Sequence, residues 1–146
     1  MKLCVAGSRT LQGERGEYHV RRAVAEALKT WGLTVDDITE GVSGMAPGPD
    51  LIGYERFKLH GIPVREFPAD WDDILVPGAL VKERADGTKY NALAGPMRNE
   101  AMARYLARHG GRCVVVYDRR KTKGSRHMAE TCKKLGVPVY EYVARD

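Results

Sequence analysis

Short β-branched apolar runs alternate with longer stretches of helical spacing from one end of the chain to the other. The runs Leu3–Ala6, Asp37–Val42, Pro63–Phe67, Cys113–Tyr117 and Pro138–Val143 read as strands, each followed by turn chemistry. Between them, Val20, Val24, Ala27, Leu28 and Trp31 recur at helical intervals, which predicts a first helix over about Glu14–Trp31 that Gly32 ends. A second helix is predicted after Gly48-Pro49-Asp50 and closes at Gly61 ahead of Pro63. A third runs over about Met97–His109 and stops at Gly110-Gly111. A fourth follows Gly124-Ser125, with Met128, Cys132 and Leu135 on one face. Strands alternating with helices build βαβ units, so the expected class is α/β: an open, mainly parallel five-stranded sheet with helices on both faces. The run Cys113-Val114-Val115-Val116 is apolar without alternation, as a strand covered on both faces should be.

One stretch breaks the rhythm. Residues 68–94 form a connection about five times the median length for compact domains, so a single domain over 1–146 with a long insert is the expected organisation. Asp72–Val76 and Ala79–Val81 are candidates for a short helix or hairpin, and a lid or a dimer contact competes with a loose excursion.

Composition narrows the class. The chain has 146 residues, 43% of them apolar, which is enough for one core without disulfides or metals. Three cysteines at wide spacing give no zinc or disulfide pattern, so Cys4, Cys113 and Cys132 read as reduced packing residues. Without an apolar membrane run or a signal-peptide pattern, the chain is expected to be cytoplasmic. No metal and no cofactor is expected. Of the net charge of +5, much lies between Gly95 and Lys134, where eleven Lys/Arg face three Asp/Glu. The resulting field suits a phosphate on a mononucleotide, a dinucleotide or single-stranded nucleic acid, and competes with a solvated basic face.

Candidate chemistry is sought where strands of an open parallel sheet feed helices. After the first strand, Gly7-Ser8-Arg9-Thr10 offers close backbone approach, a hydroxyl and a phosphate partner, or is an ordinary turn. After the second, the glycine-rich stretch from Gly41 through Gly44 and Gly48 ends at Asp50, which caps the next helix or accepts from a ribose hydroxyl. Neither the dinucleotide-binding G-x-G-x-x-G fingerprint nor a Walker A sequence is present. After the third, Asp70 stands beside Trp71, whose indole either packs in the core or stacks on a base. Before the third helix, Gly95-Pro96-Met97-Arg98-Asn99 places Arg98 near a helix N-terminus, where a cation is misplaced unless an anion or a salt bridge to Asp50 or Asp70 accompanies it. Before the fourth, Gly124-Ser125 lies amid Arg119, Arg120, Lys121, Lys123 and Arg126, an anion-binding turn, with His127 beside it.

In this order, the motifs Gly7-Ser8-Arg9, Gly44 to Asp50, Pro68-Ala69-Asp70-Trp71, Ala94-Gly95-Pro96-Met97-Arg98-Asn99 and Gly124-Ser125 resemble the YspA-like branch of the SLOG superfamily over nearly the whole chain. The resemblance implies a Rossmann-like sheet that senses or processes nucleotides or ADP-ribose-like ligands. It also implies a homodimer or higher homo-oligomer. Relatives in the wider superfamily include phosphoribohydrolases that cut the N-glycosidic bond of nucleoside monophosphates, and a DNA-processing protein that binds single strands. The hydrolytic relatives carry a glutamate three residues beyond the Gly-Thr of their phosphate turn. Here Met128 takes that position, although Arg98 sits where those enzymes hold an arginine. Glu40, Asp50, Asp70 and Asp118 are the carboxylates that could stand in. The ligand-binding set is therefore Gly7, Ser8, Arg9, Gly44, Asp50, Asp70, Trp71, Arg98, Asn99, Gly124 and Ser125, with Arg98 the catalytic candidate. Three functions follow in order: a nucleotide-binding module, an N-glycosidic hydrolase, and a binder of single-stranded nucleic acid.

Overall fold

A computed structural model describes residues 1–146. Its central strand β1 (Lys2–Gly7) is parallel to β2 (Glu40–Ser43) on one side and to β6 (Arg112–Asp118) on the other. With β3 (Val64–Glu66) and β7 (Val139–Ala144) the five strands take the order β3-β2-β1-β6-β7, all parallel. The chain winds outward from β1 to β3 and then restarts beside β1 at β6. This reversal opens a crevice beyond the carboxyl ends of β1 and β6.

Helices cover both faces, and the side-chain alternation of β6 shows why its inner run Cys113–Val116 is apolar throughout. Val114 and Val116 point to the face built by α1 (Gly13–Trp31) and α2 (Pro49–Leu59), where they meet Val20, Ala23, Leu28 and Phe57. Cys113, Val115 and Tyr117 point to the face built by α3 (Ala94–Arg108) and α4 (Lys123–Lys134), among Met102, Leu106, Met128 and Cys132. Each fully buried side chain of this kind contributes about 1.5–3 kcal/mol of transfer free energy. All three cysteines are buried and free, in keeping with packing roles.

Three boundaries differ from the expected ones. The second strand begins at Glu40 rather than Asp37, because Val35–Asp37 is a 3-10 turn: the Asp37 carboxylate accepts from the Thr34 backbone N–H at 2.7 Å and closes a capping box. The third helix starts at Ala94, three residues early, since Pro96 lies within the first turn, where no N–H is needed. The fourth starts at Lys123, so Gly124 and Ser125 belong to its first turn rather than to the preceding loop.

The insert over 68–94 holds an antiparallel hairpin, β4 (Val81–Glu83) with β5 (Lys89–Asn91), outside the main sheet. Buried Asn91 ties it down. The Asn91 side-chain oxygen accepts from the Leu80 and Leu93 backbone N–H groups at 3.2 and 3.0 Å, and the Asn91 backbone N–H donates to the Trp71 carbonyl at 2.7 Å. No helix is long and apolar enough to cross a membrane.

Candidate functional site

The crevice beyond β1 and β6 collects the loop after β1, the loop after β2 and the first turns of α3 and α4. The loop after β2 is drawn tight. Ser43 donates from its hydroxyl to the Asp50 carbonyl at 2.9 Å and accepts from the Met45 N–H at 3.1 Å. Met45 has a φ of 60°, and Arg119, just past β6, has 59°. These are the non-glycine residues in the left-handed region, and both lie at this rim. Backbone held this way costs about 1–3 kcal/mol and concentrates at ligand sites.

Asp50, in the first turn of α2, does not cap its own helix. Its carboxylate oxygens accept from the Gly7 N–H at 3.3 Å and from the Ala46 N–H at 3.4 Å, so it ties the end of β1 to the loop after β2. The side chain is 4% exposed. Burial pushes its pKa up to about 6, and the Arg98 guanidinium, those backbone N–H groups and Arg9 offset only part of that cost.

Arg98 is reached from the opposite face of the sheet. Its Nη1 donates to the Gly44 carbonyl at 2.6 Å and its Nε to the Asn99 side-chain oxygen at 3.0 Å, while Nη2 makes no hydrogen bond within the chain. A Cβ on Gly44 would stand 2.7 Å from both Arg98 Nη1 and Asp50 Oδ2, so only glycine lets the two charged groups adjoin this backbone. No salt bridge links Arg98 to Asp50 or Asp70 within 4.0 Å. Burial lowers the Arg98 pKa, Asp50 counters it, and Arg9 adds a like charge. The pair is therefore short of solvent and flanked by a second guanidinium.

Asn99 carries the site across to α4. Its side-chain nitrogen donates to the Gly124 carbonyl at 3.4 Å and lies 3.3 Å from His127 Nδ1. The first turn of α4 has Thr122 at its N-cap without a side-chain cap, and that hydroxyl shares a 3.3 Å hydrogen bond with Ser8. Ser8 in turn accepts from the Asp118 N–H at 3.1 Å. α2 and α4 thus present uncapped N-termini to one crevice, each with about half a positive charge.

The structure brings Gly7, Ser8, Gly44, Asp50, Arg98, Asn99 and Gly124 together in one connected rim, with Arg9 near enough to act on both Asp50 and Arg98. Trp71 reaches the rim from the insert: its ring would meet a Cβ on Gly95 at 3.1 Å. Asp70 is exposed and makes no side-chain hydrogen bond to the other members. Ser125 is buried, and its hydroxyl makes no hydrogen bond.

The candidate carboxylates separate cleanly. Glu40 opens β2 at the far end of the sheet, where it pairs with Lys2 and accepts from Tyr105. Asp118 is engaged by Arg15 at 2.8 Å and by the Thr10 hydroxyl, and Arg15 holds its pKa below the usual range. Only Asp50 stands beside Arg98. Met128 is buried in the core, so α4 offers no acid at that position.

Sequence reasoning missed Ser43, Arg15 and Thr122. The first lies inside the glycine-rich stretch, where nothing marks the serine itself, and the other two act through partners more than 100 residues away in the chain.

No protein-family model and no curated protein sequence matches the chain. Among solved structures, DNA processing protein A (DprA) from Streptococcus pneumoniae superposes with a TM-score of 0.59 at 18% sequence identity. The match covers 96% of this chain and 49% of that one, so the chain spans about half the length of its structural neighbour. The two share the Rossmann-like α/β fold, a five-stranded parallel sheet with helices on both faces.

Proposed function

We propose that the rim binds the phosphate of a nucleotide or nucleotide-derived ligand, as the resemblance to the YspA-like branch of the SLOG superfamily implies, and that the protein acts as a sensing or processing module. The observation that carries the reading is Arg98: one terminal nitrogen is fixed on the Gly44 carbonyl, the other is free, and Arg9 and two uncapped helix N-termini face the same space. A guanidinium held by one nitrogen keeps its remaining donors oriented for an oxyanion. Thermal-shift and calorimetric titration with AMP, ADP, ADP-ribose and NAD test this. A ligand at a hundred times its Kd adds about 2.7 kcal/mol of stability, and Arg98→Ala abolishes the gain. If no phosphate-bearing ligand stabilises the wild type, the reading fails.

A second reading, N-glycosidic hydrolysis, is favoured by Asp50. A carboxyl titrating at about 6 beside an arginine is poised to donate a proton to a leaving base at neutral pH. Release of free base from nucleoside monophosphates by the wild type, lost in Asp50→Asn, supports it.

The name of the structural neighbour favours a third, association with DNA, in which Arg119, Arg120, Lys121, Lys123 and Arg126 would contact the backbone. Its mark is a steep fall of affinity with salt.

A further inference from the structure

Two features away from the rim complement each other. The first is a groove of about 570 Å³ between α1 and α2, with Val24, Leu28 and Phe57 among its apolar lining. Its charged lining residues are Arg21, Arg22 and Arg56, with His60 beside them, and no Asp or Glu lines it. Arg22 and Arg56 are already paired with Glu26 and Glu17, whereas Arg21 and His60 have no ion-pair partner. The second is the segment Asp72–Val76 of the insert. Leu75 is 89% exposed, the most exposed large apolar side chain of the chain, and it follows two exposed aspartates. The Asp73 carboxylate accepts from the Leu75 N–H at 3.2 Å and holds the turn that presents it.

We propose that these are the two halves of one contact between copies of this chain: Asp72–Val76 of one copy enters the α1–α2 groove of the next, Leu75 reaching the apolar floor and Asp73 facing Arg21 and His60. An isolated exposed leucine needs no explanation. Here it lies within an acidic turn, and the same chain carries an apolar groove whose unpaired charge, that of Arg21, is positive. Apolar contact and charge sign match at once, which a random pair of surface patches does not provide. Because the two halves are different surfaces, the contact is head-to-tail and leaves a free groove and a free segment at the ends of every open assembly. It uses neither Arg98 nor Asp50, so it stands or falls apart from the phosphate reading.

Sedimentation of the full chain over rising concentration tests it. The weight-average mass of the wild type should rise with concentration and fall back with added salt. Leu75→Asp and the double variant Arg21→Glu with His60→Glu, all surface changes checked for folding by circular dichroism, should each stay monomeric. Mixing the two variants is decisive. One retains an intact groove and the other an intact segment, so the mixture should form 1:1 pairs that cannot extend. A wild type that stays monomeric at every concentration, an association that survives Leu75→Asp, or a mixture that remains monomeric while the wild type associates would each overturn the proposal. So would a monomeric wild type whose groove instead takes up dodecanoate.

Discussion

Arg98, on the helix that covers one face of the sheet, donates to the carbonyl of Gly44, in the loop that leads to the helix covering the other face. That 2.6 Å bond is where the two halves of the molecule meet around the crevice, and Gly44 is the position at which the site is most easily broken without touching a charge.

Gly44→Ala should therefore disable the rim while leaving the fold intact. The added methyl group meets the far end of Arg98, which is flexible, and Asp50, which is not. Stability should drop by about 1–3 kcal/mol, as overpacking does. Affinity for a phosphate-bearing ligand bound as proposed should drop at least about tenfold, or about 1.4 kcal/mol. Calorimetric melting and titration measure the two separately.

Arg98→Lys should fail to rescue Arg98→Ala. A lysine ammonium can occupy the Gly44 carbonyl or the anion, but it lacks the planar fork that serves both at once. Titration with AMP should give Lys and Ala variants within about threefold of each other; a lysine variant at wild-type affinity would refute the bridging role.

Asp50 should leave a pH signature. Its folded carboxyl holds a proton up to about pH 6, whereas an unfolded aspartate releases it near 3.8. Between those values the folded state binds more protons, so the Asp50 contribution to stability falls as pH rises through the interval. Asp118 and Glu40, with lowered pKa values, act in the opposite sense at lower pH. The stability of Asp50→Asn minus that of the wild type should consequently grow from pH 4 to 6.5 and then level off. An anion bound as proposed would raise the Asp50 pKa further, so wild-type affinity should fall as pH rises above about 6, where Asp50 of the free protein ionises, and the variant should not share that fall.

Asn91→Ala should loosen the hairpin alone. It removes the part-buried hydrogen bonds from the Leu80 and Leu93 N–H groups, at about 0.5–1.5 kcal/mol each. Hydrogen exchange should accelerate over 79–93 and stay unchanged in β1 and β6.

Leu106→Ala, in contrast, removes a fully buried side chain from the core beneath α3. Its cost should be about 2–5 kcal/mol by denaturant unfolding, and a value under 1 would contradict the packing described.

The alternation of strand and helix was readable because it rests on apolar periodicity, which β6 and α1 display without interruption. Boundaries that depend on side-chain-to-backbone bonds were not: Asp37 looks like part of a strand until its carboxylate is seen on Thr34. In the same way, the glycine-rich stretch announced a close approach of backbone, but not that Arg98 would be what approached. The cap proposed for Asp50 was the commoner use of an acid at that position. Gly7 and Ala46 claim it instead, and the Gly7 contact spans 43 residues of sequence that no local pattern carries.

The hydrogen bond between Ser8 and Thr122 joins residues 114 apart. During synthesis the chain delivers Gly7, Gly44 and Asp50 long before α4 leaves the ribosome. An emerging chain thus has half a crevice, with Asp50 facing no opposing helix start, and the rim closes only once α4 has been made.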